Sequence, residues 1–376
     1  MAELRDGFDL FTFKFKLLDK FVINEFYPTF VFGVMVFTVL LVAGDLLFDI
    51  ADLLIQSRVP FNVVVRLFLY RLPGVVVLTL PMAALLATIL SFGKMATQSE
   101  LTALKASGIS FYRILRPIVL ASIIVGGSAL LFNETIVPLT DKAADNIMRY
   151  EVARQKPSLL KEQMFLREEK NGELSRVIYI GKLYPSEGNM NNVLIQEFEG
   201  GEIARIMTAK SGEWKEGEWW LHNGQVFSVK DDGLVEPLFG FERQQLALPL
   251  SPSQVVESLQ NPKKMGAFEL YNYIKLMKIQ GTDVESLWVL LHLRLAVPWA
   301  SVVLALVGAS VGAGTKRSGS GMGIGVSIIL VFSYYVFMSF CRSLGQGGYI
   351  PPLAAAWIPN IMFLSCGVFM VKKANR

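Results

Sequence analysis

The stretch LPGVVVLTLPMAALLATILSF, residues 72–92, contains no charged side chain and is as long as a membrane-spanning helix. About 20 mostly apolar residues cross the hydrocarbon core of a bilayer, and roughly 17 is the lower limit. Because no water reaches the backbone there, such a stretch satisfies its N–H and C=O groups only as a helix. Residues 72–92 therefore predict a transmembrane helix.

Further apolar stretches of similar or slightly shorter length occupy residues 28–44, 117–132, 295–314, 323–341 and 349–371. Three stretches precede a long polar block and three follow it. The sequence therefore predicts an α-helical membrane protein with six spans, arranged as three plus three, and one large domain inserted between the third and fourth spans.

Lysine and arginine collect at places that all fall on one side of a six-span chain. Loops next to the cytoplasmic face of a membrane are enriched in these residues. We therefore predict that both termini and segment 94–116 face the cytoplasm, while the inserted domain and the loop with Asp49, Asp52 and Arg58 lie outside. The supporting basic residues are Lys14, Lys16, Lys20, Lys94, Lys105, Arg113, Arg116, Lys316, Arg317, Lys372, Lys373 and Arg376.

The composition excludes several other classes of protein. Of the 376 residues, 52% are hydrophobic, and the mean hydropathy of +0.44 is too high for an ordinary soluble enzyme. The formal net charge of +4 is accounted for by basic residues beside the spans, so it does not indicate nucleic-acid binding. Cys341 and Cys366 lie within apolar spans and provide no disulfide framework for the inserted domain.

The inserted block shows the pattern of short β-strands separated by turns. Strand-like runs occupy residues 177–180, 193–198, 202–209, 218–221 and 225–229. Turn residues separate them at 185–188, 199–201, 211–212 and 222–224, and Asn223-Gly224 is typical of a tight hairpin. Short strands with regular turns favour a sandwich or jelly roll. Helices are expected before it, at 139–155, and after it, at 267–280.

The predicted organisation has three parts. An N-terminal transmembrane half occupies residues 1–138 and includes a cytoplasmic helix at about 97–107. An all-β domain with a helical lead-in occupies residues 139–266. A C-terminal transmembrane half occupies residues 267–376.

The residues needed for common catalytic and metal sites are missing or misplaced. His222 and His292 cannot supply a zinc site, even together with the two cysteines. Residues 312–318 are glycine-rich but lack the Gly-Lys-Ser/Thr ending of a phosphate-binding loop. Residues 318–321 do not have the order of a serine nucleophile motif. We therefore expect no catalytic residues, cofactor or metal in this chain.

The segment between the second and third spans contains a short helix. Thr97 and Glu100 have the spacing of a capping box, in which both side chains accept hydrogen bonds from free backbone N–H groups. Gly108 is placed to end the helix. Two interpretations remain open: a helix that only connects two spans, or a protruding helix that presents Glu100 and Leu104 to a partner.

Four motifs resemble the LptF/LptG (YjgP/YjgQ) family of lipopolysaccharide export permeases. They are SELTALKASG at 99–108, FNETIVP at 132–138, HLRLAVP at 292–298 and PPLAAAWIPN at 351–360. The resemblance extends over essentially the whole chain, including the three-plus-three layout and the inserted domain. It implies the permease subunit of an ABC transporter in the bacterial inner membrane, which extracts lipopolysaccharide for outer-membrane biogenesis.

The resemblance also implies partners. A second permease subunit of the same family, two copies of a cytosolic LptB-like ATPase and a periplasmic bridge of LptC- and LptA-like jelly rolls are expected. ATP hydrolysis then belongs to the ATPase. The short helix becomes the element that couples the spans to the ATPase, with candidate residues Ser99, Glu100, Leu101, Leu104 and Gly108. Acyl chains are expected in an apolar groove between two sheets, lined from residues 193–198 and 202–209.

Candidate ligands for lipid phosphate share one feature, a basic side chain at the outward end of a span: Arg342, Arg71, Arg66, Arg294 and His292. Guanidinium binds phosphate through two parallel hydrogen bonds. Each residue could instead be an anchor that reaches for lipid headgroups. The outer end of the first span carries Asp45, Asp49 and Asp52, so it lacks the basic residues that some relatives use there.

Two further alternatives remain at this stage. Glycines on the third, fourth and fifth spans, among them Gly126, Gly308 and Gly312, allow either ordinary close packing of helices or a sliding seam between subunits. The alternative to a permease is a membrane-anchored scaffold whose outer β domain binds an envelope partner without transport. A membrane hydrolase would need a clustered nucleophile and base that the sequence lacks.

Overall fold

The computed structural model describes residues 17–46, 59–152, 161–170, 173–230, 233–258, 261–279, 282–314 and 320–375. The helices in these ranges are α1 (Leu17–Leu41), α2 (Phe61–Thr97), α3 (Glu100–Ala106), α4 (Phe111–Glu134), α5 (Ile136–Asn146), α6 (Pro252–Ser258), α7 (Ala267–Ile279), α8 (Glu285–Gly314), α9 (Ser320–Gln346) and α10 (Pro352–Asn375). Short π-helical turns follow α1 and α5, at Val42–Leu46 and Ile147–Val152.

Six helices in the described ranges are long and apolar enough to cross a membrane: α1, α2, α4, α8, α9 and α10. The prediction of six spans in a three-plus-three arrangement is therefore confirmed. α5 and the π-helical turn at Ile147–Val152 continue beyond α4, as expected for the helical lead-in.

The inserted domain contains one antiparallel sheet of six strands in the order β1-β2-β3-β4-β5-β6. The strands are β1 (Lys161–Lys170), β2 (Glu173–Tyr184), β3 (Asn189–Glu199), β4 (Glu202–Lys215), β5 (Glu218–Val229) and β6 (Val235–Leu246). A helical membrane protein with an inserted β domain is thus confirmed. The described strands form a single meander instead of the two sheets of a sandwich, because each strand pairs with the next one along the chain.

Two of the predicted turns are wrong. Ser211-Gly212 lies inside β4 and Asn223-Gly224 lies inside β5, and Ser211, Gly212 and Gly224 pair in register with neighbouring strands. The turn between these strands is Glu216-Gly217, where both residues have left-handed backbone angles (φ 57° and 88°). Positive φ at both central residues matches the twist of the flanking strands, so Glu216-Gly217 closes the hairpin of β4 and β5. The hairpin expected between residues 218–221 and 225–229 does not form, because both runs belong to β5.

Asn223 instead lies at a point where the alternation of buried and exposed side chains along β5 shifts by one residue, and Asn192 lies at the same kind of point in β3. In β3 the buried residue Met190 is followed by Val193, so the alternation shifts by one position at Asn192. Asn192 and Asn223 have φ of 56° and 54°, a left-handed conformation that asparagine tolerates better than most residues. A Cβ atom on Gly181 would lie 2.8 Å from the Cβ atom of Asn192, so the neighbouring strand leaves room only for glycine. Irregularities of this kind re-aim the side chains of a strand.

The chain divides into two compact units. The membrane unit comprises Met1–Thr140, His292–Leu344 and Leu353–Arg376, and the β unit comprises Asp141–Leu291 and Gly345–Pro352. α7 belongs to the β unit because Leu270 and Ile274 lie in the same apolar cluster as Ile180, Val193 and Ile195 of the sheet.

Glycines on α8 allow it to pack directly on α2 within the membrane unit. A Cβ atom on Gly308 would lie 2.1 Å from Oγ1 of Thr88, and one on Gly312 would lie 2.6 Å from the carbonyl oxygen of Ile89. Gly126 of α4 approaches the carbonyl oxygen of Pro298 in the same way. These three glycines therefore serve close helix packing inside the chain.

A buried hydrogen-bond network joins α8, α9 and α10. The hydroxyl of Tyr334 donates to Oδ1 of Asn360 at 2.8 Å, and Nδ2 of Asn360 donates to the carbonyl oxygen of Ala296 at 2.8 Å. Asn360 is 4% exposed, so losing either partner would leave a polar group unsatisfied in an apolar environment. The network fixes the relative positions of the last three membrane helices.

Several predicted features lie outside the described residues. They are the side chains of Lys14, Lys16, Asp45, Asp49, Asp52, Arg58, Lys316, Arg317 and Arg376, and residues 315–318 of the glycine-rich segment 312–318.

Candidate functional site

α3 begins differently from the predicted capping box. Thr97 belongs to the last turn of α2, where its hydroxyl donates to the carbonyl oxygen of Gly93 at 2.8 Å. Ser99 is the residue before the first helical turn of α3, with a left-handed φ of 61° and no side-chain capping bond. The prediction was wrong because the transmembrane helix continues through Thr97 and occupies its hydroxyl.

The end of α3 agrees with the sequence. Gly108 has φ of 83°, its N–H donates to the carbonyl oxygen of Lys105 at 3.0 Å, and the N–H of Ile109 donates to that of Leu104 at 3.1 Å. This pair of bonds is a Schellman motif, which requires the left-handed conformation that glycine adopts without steric cost. The helix is therefore short and sharply bounded.

One face of α3 packs on the membrane unit and the other is exposed. Leu101 is buried and Leu104 is partly buried in a cluster with Phe92 and Phe111. Thr102 and Lys105 are exposed. Glu100 is half-buried, and its carboxylate makes no ion pair or hydrogen bond with any residue that the structure describes.

Two ion pairs tie α2 and α4, the helices that flank α3, to α1. Arg113 of α4 makes a two-pronged contact with Asp19, in which Nη2 lies 2.9 Å from Oδ2. Nζ of Lys94 in α2 lies 2.7 Å from Oε2 of Glu25. The sequence predicted that these basic residues lie on the cytoplasmic side, but it did not indicate their acidic partners, which are far away along the chain.

The end of α10 also contacts this region. Oδ1 of Asn375 accepts a hydrogen bond from the backbone N–H of Phe111 at 2.9 Å, which satisfies a free donor at the start of α4. Nζ of Lys105 donates to the carbonyl oxygen of Ala374. α3 thus contacts α2, α4 and α10, and α2 and α4 join it to α1, so a displacement of α3 would reach four of the membrane helices.

Contacts between α2 and α9 place Arg71 and Arg342 at the same height along the helix axes. Gly323 of α9 lies against Leu90, and the hydroxyl of Tyr335 donates to the carbonyl oxygen of Leu78 at 3.3 Å, so the two helices run antiparallel. Arg342 lies seven residues beyond Tyr335, and Arg71 lies seven residues before Leu78. Each arginine is therefore about 10 Å beyond the contact, in the same direction.

Arg294 lies at a similar level on α8. α8 runs parallel to α2, because Gly308 lies against Leu85 and Gly312 against Ile89. Arg294 is fourteen residues before Gly308, and Arg71 is fourteen residues before Leu85. The structure therefore brings Arg71, Arg294 and Arg342 to the same end of adjacent helices. These three residues are called the arginine level below.

The surroundings of the basic candidates differ. Arg71, Arg342, Arg294 and His292 are half-buried, whereas Arg66 is exposed. Arg71 and Arg342 make no side-chain ion pair or hydrogen bond with the described residues. From Arg71 to Lys94 at the other end of α2, a helix rise of 1.5 Å per residue gives about 35 Å, slightly more than the roughly 30 Å of a hydrocarbon core.

An apolar row crosses the inward face of the sheet. It consists, in register from β1 to β6, of Leu166, Ile178, Ile195, Met207, Val226 and Phe239. Ile195 is 1% exposed, but Phe239 on the edge strand is 56% exposed. The strands that the structure describes form one sheet, so they enclose no groove between two sheets. Val193 and Ile195 are buried in the core with α7. The apolar face opens at β6 instead.

The described residues contain no cluster of three or more His, Cys, Asp or Glu side chains that could hold a metal ion. The arrangement instead offers a helix with an unpaired carboxylate, a level of arginines and an open apolar sheet edge. These features suit the binding of proteins and an anionic amphiphile.

Comparison with known proteins shows similarity along nearly the whole chain. The family model described as "Lipopolysaccharide export system permease LptF/LptG" matches residues 20–373. The chain is 23% identical to the permease protein LptG of Escherichia coli K12 over 82% of this chain and 84% of the relative. It is 17% identical to LptF of the same strain over 84% of each chain. An uncharacterized protein of Aquifex aeolicus is 26% identical over 66% of this chain and 73% of the relative.

Proposed function

The chain belongs to the LptF/LptG family of lipopolysaccharide export permeases, and from this we propose that it is the transmembrane subunit of an ABC transporter that extracts lipopolysaccharide from the inner membrane. The observation that carries the proposal is the family match over residues 20–373, which includes all six apolar helices and the β unit. A second permease subunit of the same family completes the membrane part of the transporter.

In the proposed topology both termini and α3 face the cytoplasm and the β unit faces the periplasm. The ends of the membrane helices near α3 carry exposed basic residues, among them Lys20, Lys94, Lys372 and Lys373. Such residues are enriched on the cytoplasmic side of membrane proteins. This orientation places the arginine level of Arg71, Arg294 and Arg342 at the periplasmic side.

We propose that α3 docks on a cytosolic ATPase and transmits its motion. Glu100 supports this role because its carboxylate has no partner among the described residues and lies at the start of a helix, where an arginine of a docking groove could pair with it. Leu101 and Leu104 fix the helix to the membrane unit, and Gly108 ends it. ATP hydrolysis belongs to the partner.

The arginine level is proposed to bind lipopolysaccharide phosphate. Arg71 and Arg342 are half-buried without ion-pair partners among the described residues, so an incoming phosphate can supply the missing counter-charge. Guanidinium groups match the geometry of phosphate oxygens in a two-pronged arrangement. A simple anchor for lipid headgroups would not need several arginines at one level on adjacent helices.

The open edge of the sheet is proposed to pass lipopolysaccharide to a periplasmic jelly-roll bridge. Among the described strands β6 has a neighbour on one side only, and it exposes Val235, Leu238 and Phe239. An edge strand with exposed apolar side chains is a template for pairing with a strand of another protein. Pairing there would continue the apolar row from this sheet into the next and keep acyl chains away from water.

Gentle detergent extraction tests the proposed function. Affinity purification of the tagged chain is expected to retain a second permease subunit and an ATPase, and lipopolysaccharide is expected to stimulate ATP hydrolysis by the complex. A scaffold without transport would retain an envelope partner through the β unit but no ATPase. That result would reject the permease function.

A further inference from the structure

An apolar groove of about 430 Å³ runs along α4 in the membrane unit. Leu306 of α8 and Val368 and Val371 of α10 complete its walls. Its lining is apolar except for Tyr112 and Arg116. The volume falls within the range of roughly 300–1,000 Å³ that is usual for sites binding small molecules.

The polar end of the groove lies on the side of the membrane unit where α3 is found. Tyr112 and Arg116 are in the first two turns of α4, where the N–H of Phe111 is bound by Asn375 of α10. From Arg116 to Ile123 the groove follows α4 for about 10 Å toward the middle of the bilayer. A ligand must therefore be polar at one end and apolar along its length.

The charge of the groove indicates an anionic ligand. The guanidinium of Arg116 makes no ion pair or hydrogen bond with any residue that the structure describes. Arg113, one turn earlier on the same helix, is instead bound by Asp19. Because none of the residues lining the groove is acidic, Arg116 remains available for a phosphate.

We infer that this groove is a binding site for one anionic phospholipid. Its phosphate contacts Arg116 and Tyr112, and an acyl chain lies along Val119, Leu120 and Ile123. The site is at the opposite end of the helices from Arg71 and Arg342, so it is separate from the proposed lipopolysaccharide site. The proposed topology enters this inference only by assigning the bound lipid to the cytoplasmic leaflet.

Photochemical labelling tests the site. The full chain, with any co-extracted subunits, is placed in phosphatidylcholine nanodiscs that contain phosphatidylglycerol with a photoactivatable group on its acyl chain. After illumination, mass spectrometry is expected to locate adducts within residues 112–123 and 368–371. A parallel sample with photoactivatable phosphatidylcholine is expected to give weaker labelling at these residues.

Variants distinguish the contribution of the Arg116 charge to lipid binding from that of the apolar groove. Arg116→Gln is expected to lower labelling by phosphatidylglycerol about tenfold, as for the loss of a charge-assisted hydrogen bond, and to leave labelling by phosphatidylcholine unchanged. Ile123→Trp at the exposed wall is expected to lower labelling by both lipids. Lys20→Gln removes another exposed cation of the same membrane face and serves as the control, with labelling as in the unmodified chain.

Two results would overturn the inference: Arg116→Gln labelled by phosphatidylglycerol as strongly as the unmodified chain, or adducts spread over the exposed surface of the membrane helices outside the groove. Labelling requires neither ATP nor lipopolysaccharide. A failure of the lipid site therefore leaves the proposed transport function untouched, and a failure of transport leaves the labelling result interpretable.

Discussion

At the scale of single residues, Glu100 gives the most direct test of coupling to an ATPase. If its carboxylate only interacts with the dipole of α3, Glu100→Ala should cost about 0.3–1 kcal/mol. If it pairs with an arginine of a docking groove, the same change should cost roughly 2–5 kcal/mol of association. We expect the second result, seen as loss of ATPase from the affinity-purified membrane complex.

Thr102→Ala changes another exposed side chain of α3 and is the matched control, which should retain the ATPase. A Glu100→Ala complex that keeps its ATPase and still exports lipopolysaccharide would contradict the proposed coupling role.

Arg342 gives the corresponding test for the arginine level. Arg342→Ala should weaken the stimulation of ATP hydrolysis by lipopolysaccharide while complex assembly is preserved. Arg342→Lys should restore only part of it, because a point charge replaces a planar group with two parallel donors. Arg66→Ala tests the exposed candidate on α2, and a smaller effect is expected there because Arg66 lies outside the arginine level. Unchanged lipopolysaccharide binding by Arg342→Ala would leave Arg342 as a headgroup anchor.

At the scale of secondary-structure elements, the contact between α8 and α2 depends on two glycines. Gly312→Ala would place a methyl group 2.6 Å from a backbone oxygen of α2, and backbone cannot move aside as a side chain can. We expect a loss of about 1–3 kcal/mol in stability, as for overpacking of a core. The measurement is the melting temperature of the detergent-solubilised complex.

Gly314→Ala is the matched control on the same helix, because a Cβ atom there would meet nothing within 4 Å. It should leave the melting temperature unchanged or raise it slightly, since alanine favours a helix by up to about 1 kcal/mol over glycine. Equal melting temperatures for the two variants would show that α8 can move away from α2 at little cost.

At the scale of the whole molecule, the topology is open to direct measurement. In a variant without Cys341 and Cys366, single cysteines are introduced at Asn189 in the β unit and at Thr102 in α3, both exposed positions. A maleimide that does not cross the membrane should label the two positions from opposite sides. Labelling of both from the same side would reject the proposed orientation.

The sequence by itself determined the features whose physical cause is local. A bilayer admits only long apolar helices or closed barrels, so six uncharged stretches were sufficient to predict six helices. Gly108 ended α3 as expected because the left-handed conformation at a helix end strongly favours glycine. The family-specific motifs lie in these same local elements, which is why the family was recognisable.

Only the tertiary structure decided the features that depend on distant residues. Asn223-Gly224 could form a turn or lie within a strand, and pairing of β5 along β4 selected the strand. Thr97 could cap α3 or extend α2, and the longer helix took its hydroxyl. The pairing of Arg113 with Asp19, the common level of the arginines and the groove beside Arg116 arise from packing between helices, because residue type and spacing along the chain do not specify which neighbours a side chain meets.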